Sequence, residues 1–140
     1  MDPQTPLRVG IIGCGYQGGI LAQTIATGNA GRPIAAWRVV ACADPDQAAA
    51  ARVAAIAGGA ATYASTEELL GTEVDAVFVA TSHDALYECS LAAVQAGKHV
   101  MAEKPIGHFA AHATIVPEGA LNSAIDFSYQ RSVARLLFGN

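Results

Sequence analysis

"LRVGIIGCGYQGGILAQTIATG", residues Leu7 to Gly28, decides the fold. Its first six residues are an apolar, β-rich run, and Gly13-Cys14-Gly15-Tyr16-Gln17-Gly18 follows directly. Ile20, Leu21, Thr24 and Ile25 then fall on one helical face, until Gly28-Asn29-Ala30-Gly31 breaks the pattern. Strand, glycine turn and helix in that order form one unit, and outward from it the unit repeats. Arg38 to Ala43 is a second β-type run ending at Asp44-Pro45. The alanine-rich segment Gln47 to Ala57 is helical by propensity and stops at Gly58-Gly59. Ser65-Thr66-Glu67-Glu68 has capping-box spacing and opens a short helix closed by Leu69-Leu70-Gly71.

Val74 to Ala80 is nearly continuous in apolar residues, as expected of a strand covered on both faces. Leu86 to Ala96 is a helical stretch ended by Gly97, and His99 to Ala102 is the next strand. Alternating strands and helices joined by short turns predict an α/β fold with a doubly wound parallel sheet. Beyond Pro105 the pattern weakens. His108 to Ile115 suits a helix that Pro117 cuts short, Ala124 to Phe127 suits a further strand, and Val133 to Phe138 suits a terminal helix.

A chain of 140 residues is long enough for one domain with a full core and too short for two ordinary ones. It is 52% hydrophobic and 14% charged, with a mean hydropathy of +0.32, so some surface is unusually apolar. Alanine runs such as Ala48 to Ala51 are one explanation; a face covered by a partner subunit, a second copy or a missing domain is the other. The net charge is −4 and the eight Lys and Arg are scattered, which excludes a phosphate-backbone footprint and makes nucleic acid an unexpected partner. Met1 to Pro6 lacks the basic-then-apolar order of a signal peptide, and no apolar run approaches the ~18 residues of a membrane span. The expectation is a cytoplasmic protein. Cys14, Cys42 and Cys89 show no ligand spacing and sit among apolar or small residues, so they are expected as buried reduced thiols.

The glycine turn has a chemical reading in this context. Gly13 turns sharply out of the strand, Gly15 lets a diphosphate approach the backbone, and Gly18 lets the helix pack closely. The helix N-terminus adds free N–H groups and a positive dipole. Asp44, 26 positions past Gly18 at the end of the second strand, is placed to accept from the adenosine ribose hydroxyls. An acid there repels a 2′-phosphate, and Pro45-Asp46 supplies no cation, so NAD is favoured over NADP. Two plainer readings stand beside these: the glycines simply pack a sheet, and Asp44 caps the helix that begins near Gln47.

Val9 to Gly19 ("VGIIGCGYQGG"), Ala41 to Asp46 ("ACADPD"), Val74 to Pro105 ("VDAVFVATSHDALYECSLAAVQAGKHVMAEKP") and Phe127 to Ser132 ("FSYQRS") together resemble the Gfo/Idh/MocA oxidoreductases. The string "AGKHVMAEKP" is the most specific part, and the resemblance thins after Pro105. It implies a Rossmann domain holding NAD through Gly13, Gly15, Tyr16, Gln17, Gly18, Asp44, Thr81, Ser82, His83, Glu103, Lys104 and Pro105. It also implies that Lys104, at the end of the fifth strand, orients a sugar or polyol hydroxyl and assists proton transfer as the catalytic residue, with Pro105 shaping the pocket. Alcohol oxidation does need a group to manage the hydroxyl proton, and a partly desolvated amine suits that role. The plainer reading is that Lys104 pairs with Glu103 or meets solvent.

His83 and Tyr87 depart from the family's usual residues in the loop after the fourth strand. His108 and His112 have the i, i+4 spacing of a metal pair but no third ligand nearby, so no metal is expected. Family members continue into a β-sheet domain that supplies substrate contacts and much of a dimer interface. The expectation is therefore a dinucleotide-binding domain over residues 1–126, with 127–140 a remnant of the start of a second domain and the substrate domain missing or vestigial. Such a chain is expected to bind cofactor and turn over poorly alone. A non-catalytic dinucleotide-binding module, or a subunit needing a partner, is the alternative. A methyltransferase reading of the glycine turn gives no role to Glu103-Lys104-Pro105.

Overall fold

Short β-rich runs buried on both sides need helices on both sides, and the arrangement follows from that. A computed structural model describes residues 5–28 and 37–104. Five strands and four helices alternate: β1 (Leu7–Ile12), α1 (Tyr16–Thr27), β2 (Trp37–Ala43), α2 (Gln47–Ile56), β3 (Ala61–Tyr63), α3 (Thr66–Leu70), β4 (Ala76–Val79), α4 (His83–Gln95) and β5 (His99–Ala102). All strand pairs are parallel and their order is β3-β2-β1-β4-β5. Val9 lies opposite Val39 on one side and Ala76 on the other, and Val79 lies opposite Ala102. The chain builds outward from β1 in one direction, then crosses to β4 and builds in the other, leaving a crevice between the carboxyl ends of β1 and β4.

Successive strand side chains alternate between two cores. Val9, Ile11, Val39 and Cys42 pack with Ala22 and Ile25 of α1 and with Ala49, Ala50 and Val53 of α2. Ile12, Ala41, Val77, Val79 and Val100 pack with Leu69 of α3 and with Leu86 and Ala93 of α4. The four residues of β4 are all buried, which accounts for its unbroken apolar sequence. Burying one such Val, Ile or Leu side chain stabilises by about 1.5–3 kcal/mol.

Three details differ from the sequence reading. The buried face of α1 is Gly18, Ala22 and Ile25, while Ile20 and Thr24 are exposed. Gly18 is on the buried face because a Cβ there would meet Gly13 O at 2.2 Å, a contact only glycine avoids. β3 was not assigned from sequence; it has three residues and pairs only with β2, too short to show periodicity. α4 begins at His83 rather than Leu86, with extended Ser82 before it and Asp84 in its first turn, where a negative charge suits the helix dipole. The expected elements beyond Pro105, and His108 and His112, lie outside the described residues.

The amino-terminal end of the sheet is held by ion pairs and capped carbonyls. Asp75, just before β4, accepts from the Arg8 backbone N–H (2.8 Å), Nε (3.1 Å) and Nη2 (2.9 Å), while Arg8 Nη1 reaches Glu73 at 2.8 Å. The Arg8 guanidinium holds the Asp75 carboxyl below its ordinary pKa. Lys98 Nζ donates to the carbonyls of Thr72 (3.3 Å) and Val74 (2.9 Å). Among the described residues, no helix is long and apolar enough to cross a membrane.

Candidate functional site

β1 ends at Ile12, and the chain must reverse into α1 within three residues. Gly13 does this with φ +93°, and its N–H donates to Ala43 O at 2.9 Å. A Cβ on Gly13 would lie 2.6 Å from the backbone of Ala80 and Thr81, and one on Gly18 would lie 2.2 Å from Gly13 O. Both positions therefore exclude any side chain. Gly15 differs: a Cβ there would meet nothing within 4 Å. It is the N-cap of α1, no side chain caps the helix, and its first turn holds no acid. The helix start thus presents uncommitted N–H groups and a positive dipole toward open space, the arrangement that receives a phosphate.

Beside this turn lies a cleft of about 520 Å³ at the carboxyl edge of the sheet. Of the residues singled out from sequence, it brings together Gly13, Gly15, Asp44, Thr81 and Ser82. Asp44 is fixed at its rim: Oδ2 accepts from Cys14 N–H and Oδ1 from Asp46 N–H, both at 2.8 Å. Each oxygen keeps a lone pair for a further donor. The helix-cap role that sequence allowed Asp44 belongs instead to Asp46, which accepts from Ala48 N–H (3.0 Å) and Ala49 N–H (3.3 Å). Gln47 Nε2 donates to the carbonyls of Asp44 (2.8 Å) and Tyr63 (3.1 Å), tying the ends of β2 and β3 together.

Tyr16, Gln17, Gly18, His83, Glu103 and Lys104 do not line the cleft. Tyr16 is 85% exposed at the start of α1, and His83 belongs to α4 rather than to the preceding loop. Glu103 N–H donates to Val79 O at 2.9 Å, extending the β4–β5 ladder and carrying the chain to Lys104 at the carboxyl edge. Lys104 is exposed, so the described residues do not desolvate it. Among the described residues no ion pair joins it to Glu103. Pro105 lies outside the described residues.

Sequence reasoning missed the far wall of the cleft, formed by Ser65, Thr66 and Glu67 at the start of α3 and by Cys89 of α4. A loop that follows a strand in a parallel sheet lies at the carboxyl edge, so recognising β3 would have placed Ser65 to Glu67 there. Ser65 Oγ accepts from Glu68 N–H at 3.2 Å, and the Glu68 carboxylate reaches back to Ala64 N–H, one residue earlier than a standard capping box. Cys14 and Cys42 are buried as expected; the Cys14 thiol is pushed up by its hydrogen bond with Cys42 and by burial. Cys89 is only half-buried, and its thiol is pushed up by burial.

The family model described as "Oxidoreductase family, NAD-binding Rossmann fold" (GFO_IDH_MocA) matches residues 7–118. Two inositol 2-dehydrogenases of Saccharopolyspora erythraea are 40% identical over 101 residues and 41% identical over 110 residues, matches that cover 71% and 75% of this chain. The same matches cover 28% and 30% of those relatives, so the chain spans less than a third of their length. Among solved structures, myo-inositol dehydrogenase from Lactobacillus casei, in complex with NAD(H) and myo-inositol, superimposes with a TM-score of 0.69 at 28% identity, over 78% of this chain and 31% of that one. A 3-ketoreductase variant from Actinomadura kijaniata, in complex with TDP-benzene and NADP, superimposes with a TM-score of 0.62 at 30% identity, over 78% of this chain and 33% of that one.

Proposed function

Because the chain belongs to the Gfo/Idh/MocA oxidoreductase family and carries its NAD-binding Rossmann fold, we propose that the carboxyl-edge cleft seats NAD for hydride transfer between a sugar or polyol hydroxyl carbon and nicotinamide. The observation that carries this reading is the uncapped start of α1, open above Gly15, with the Asp44 carboxylate beside it at the cleft rim, held by Cys14 N–H.

The residues present fit the dinucleotide. The N–H groups of Tyr16, Gln17 and Gly18 at the head of α1 take the diphosphate, and the remaining lone pairs of Asp44 take the adenosine ribose hydroxyls. Its charge disfavours a 2′-phosphate, so NAD is preferred to NADP. Thr81 and Ser82 border the path toward the nicotinamide end, where His83, Glu103 and Pro105 complete the surroundings. NAD, when bound, supplies the hydride acceptor. Lys104 holds the substrate hydroxyl and takes up its proton at Nζ, a task for which an amine at the strand end is suited once substrate excludes water from it.

The substrate class follows from the inositol dehydrogenases that the chain resembles. On this reading the dinucleotide domain is assigned to residues 1–126, and 127–140 to a remnant of the start of a second domain. The apolar excess of the sequence is covered by a second copy or a partner subunit. Titrating the chain with NADH and following nicotinamide fluorescence tests the reading. Saturable binding is expected and, in a separate assay that supplies NAD+ as the hydride acceptor, slow oxidation of inositol by the chain alone; no binding at millimolar NADH overturns the reading.

A further inference from the structure

We propose that Arg52 is a positioning residue for the cofactor's diphosphate: from α2 it braces the glycine turn at the Cys14 carbonyl and sets a positive charge behind it. This rests on the NAD reading above, on which the cleft has an electrostatic difficulty. Among the described residues its lining holds two acids, Asp44 and Glu67, and neither Lys nor Arg. A diphosphate is dianionic, and Asp44 stands against the turn that receives it, with Oδ2 2.8 Å from Cys14 N. The partial charge at a helix start, about +0.5, does not offset a full carboxylate. The offset comes from behind the lining.

Arg52 lies in the second turn of α2, a helix that starts at Gln47 beside the carboxyl end of β2. Helical side chains lean toward the helix N-terminus, so a long one from the second turn reaches back to that edge. Arg52 Nη2 lies 3.5 Å from Cys14 O. That is long for a hydrogen bond, so the guanidinium acts on the carbonyl chiefly through its charge. The other described cations stand elsewhere: Arg8, Arg38 and Lys98 belong to the amino-terminal end of the sheet, and Lys104 follows β5. Cys14 is thus held at both its backbone groups, the N–H by Asp44 and the C=O by Arg52. Because a trans peptide is planar, drawing the Cys14 C=O toward α2 turns the Gly15 N–H away from it. Gly15 is the N-cap of α1, so this sets how the chain enters the helix whose N–H groups take the diphosphate.

The test titrates the full chain and its Arg52→Gln and Arg52→Lys variants with NADH, then displaces NADH with ADP or with adenosine, which shares base and ribose but lacks the diphosphate. Arg52→Gln is expected to weaken NADH and ADP by about fivefold, the scale of one unit charge acting over several ångströms near a protein surface, and to leave adenosine within about twofold. Arg52→Lys keeps the charge and should stay within about twofold of wild type for all three. In about 1 M sodium chloride, wild type and Arg52→Gln should converge for NADH. Unchanged NADH and ADP binding in Arg52→Gln, an equal loss for ADP and adenosine, a loss in Arg52→Lys as large as in Arg52→Gln, or a gap that persists in high salt overturns the inference and leaves the NAD reading standing. Failure of the wild-type chain to bind NADH overturns both. Arg52 is exposed, and the variants' melting temperatures and far-ultraviolet spectra serve as the folding control.

Discussion

The two ends of one parallel sheet are built on opposite principles. At the amino-terminal end, Arg8, Glu73, Asp75 and Lys98 meet one another or capped carbonyls, and long side chains close the surface. At the carboxyl end, small residues and a left-handed glycine hold the backbone back, and a helix start is left without a side-chain cap. The first end satisfies its groups internally; the second leaves donors and acceptors unspent. A helix with glycine in place of a capping side chain gives up roughly a few tenths of a kcal/mol of stability, which a bound phosphate can restore. The difference teaches that the sheet is anchored at one end so that it can stay open at the other.

The largest effect is expected where the open end is tightest. Gly18→Ala drives a methyl group into Gly13 O, and we expect a loss of about 3 kcal/mol in urea unfolding together with the loss of NADH binding. Lys104→Met should separate chemistry from binding. Hydride transfer, measured at 340 nm, is expected to fall by at least about 10²-fold while the dissociation constant for NADH stays within about twofold. An equal fall in both would move Lys104 from catalysis to cofactor binding.

Gly15→Ala sharpens the comparison further, because its methyl group meets no protein atom. Stability should change by no more than about 1 kcal/mol, the scale of an N-cap substitution, while NADH binding weakens by about tenfold or more. At the closed end, Asp75→Asn should lower the urea midpoint modestly and leave NADH binding unchanged. The Asp75 pKa is depressed in the folded state, so its contribution is present above the unfolded value near 3.8 and is lost as pH falls through the lower folded value. Denaturation midpoints of the two proteins, measured from pH 6 downward, should therefore converge at the acid end.

The elements legible in the sequence were those with strong periodicity or a fixed turn. The bounds of β1 and β5 are legible to the residue, and the tight turn at Gly13 and the close packing at Gly18 follow from their need for a residue without a side chain. β3 escaped because three residues at a sheet edge carry no pattern, and the Ser65–Glu67 wall escaped with it. The apolar grouping of Ile20, Leu21, Thr24 and Ile25 does not match the buried face of α1, which is Gly18, Ala22 and Ile25, because small residues there carry no hydrophobic signal. The division of labour between Asp44 and Asp46 was hidden because both residues suit a cap and only the fold assigns one oxygen to Cys14 N–H.

A crystal structure of the chain grown with NADH is the most direct test of the nucleotide site. Diphosphate oxygens are expected against the N–H groups at the head of α1 and ribose hydroxyls on the Asp44 carboxylate. Nucleotide density at another site, or an empty cleft beside a saturating ligand, would contradict that placement.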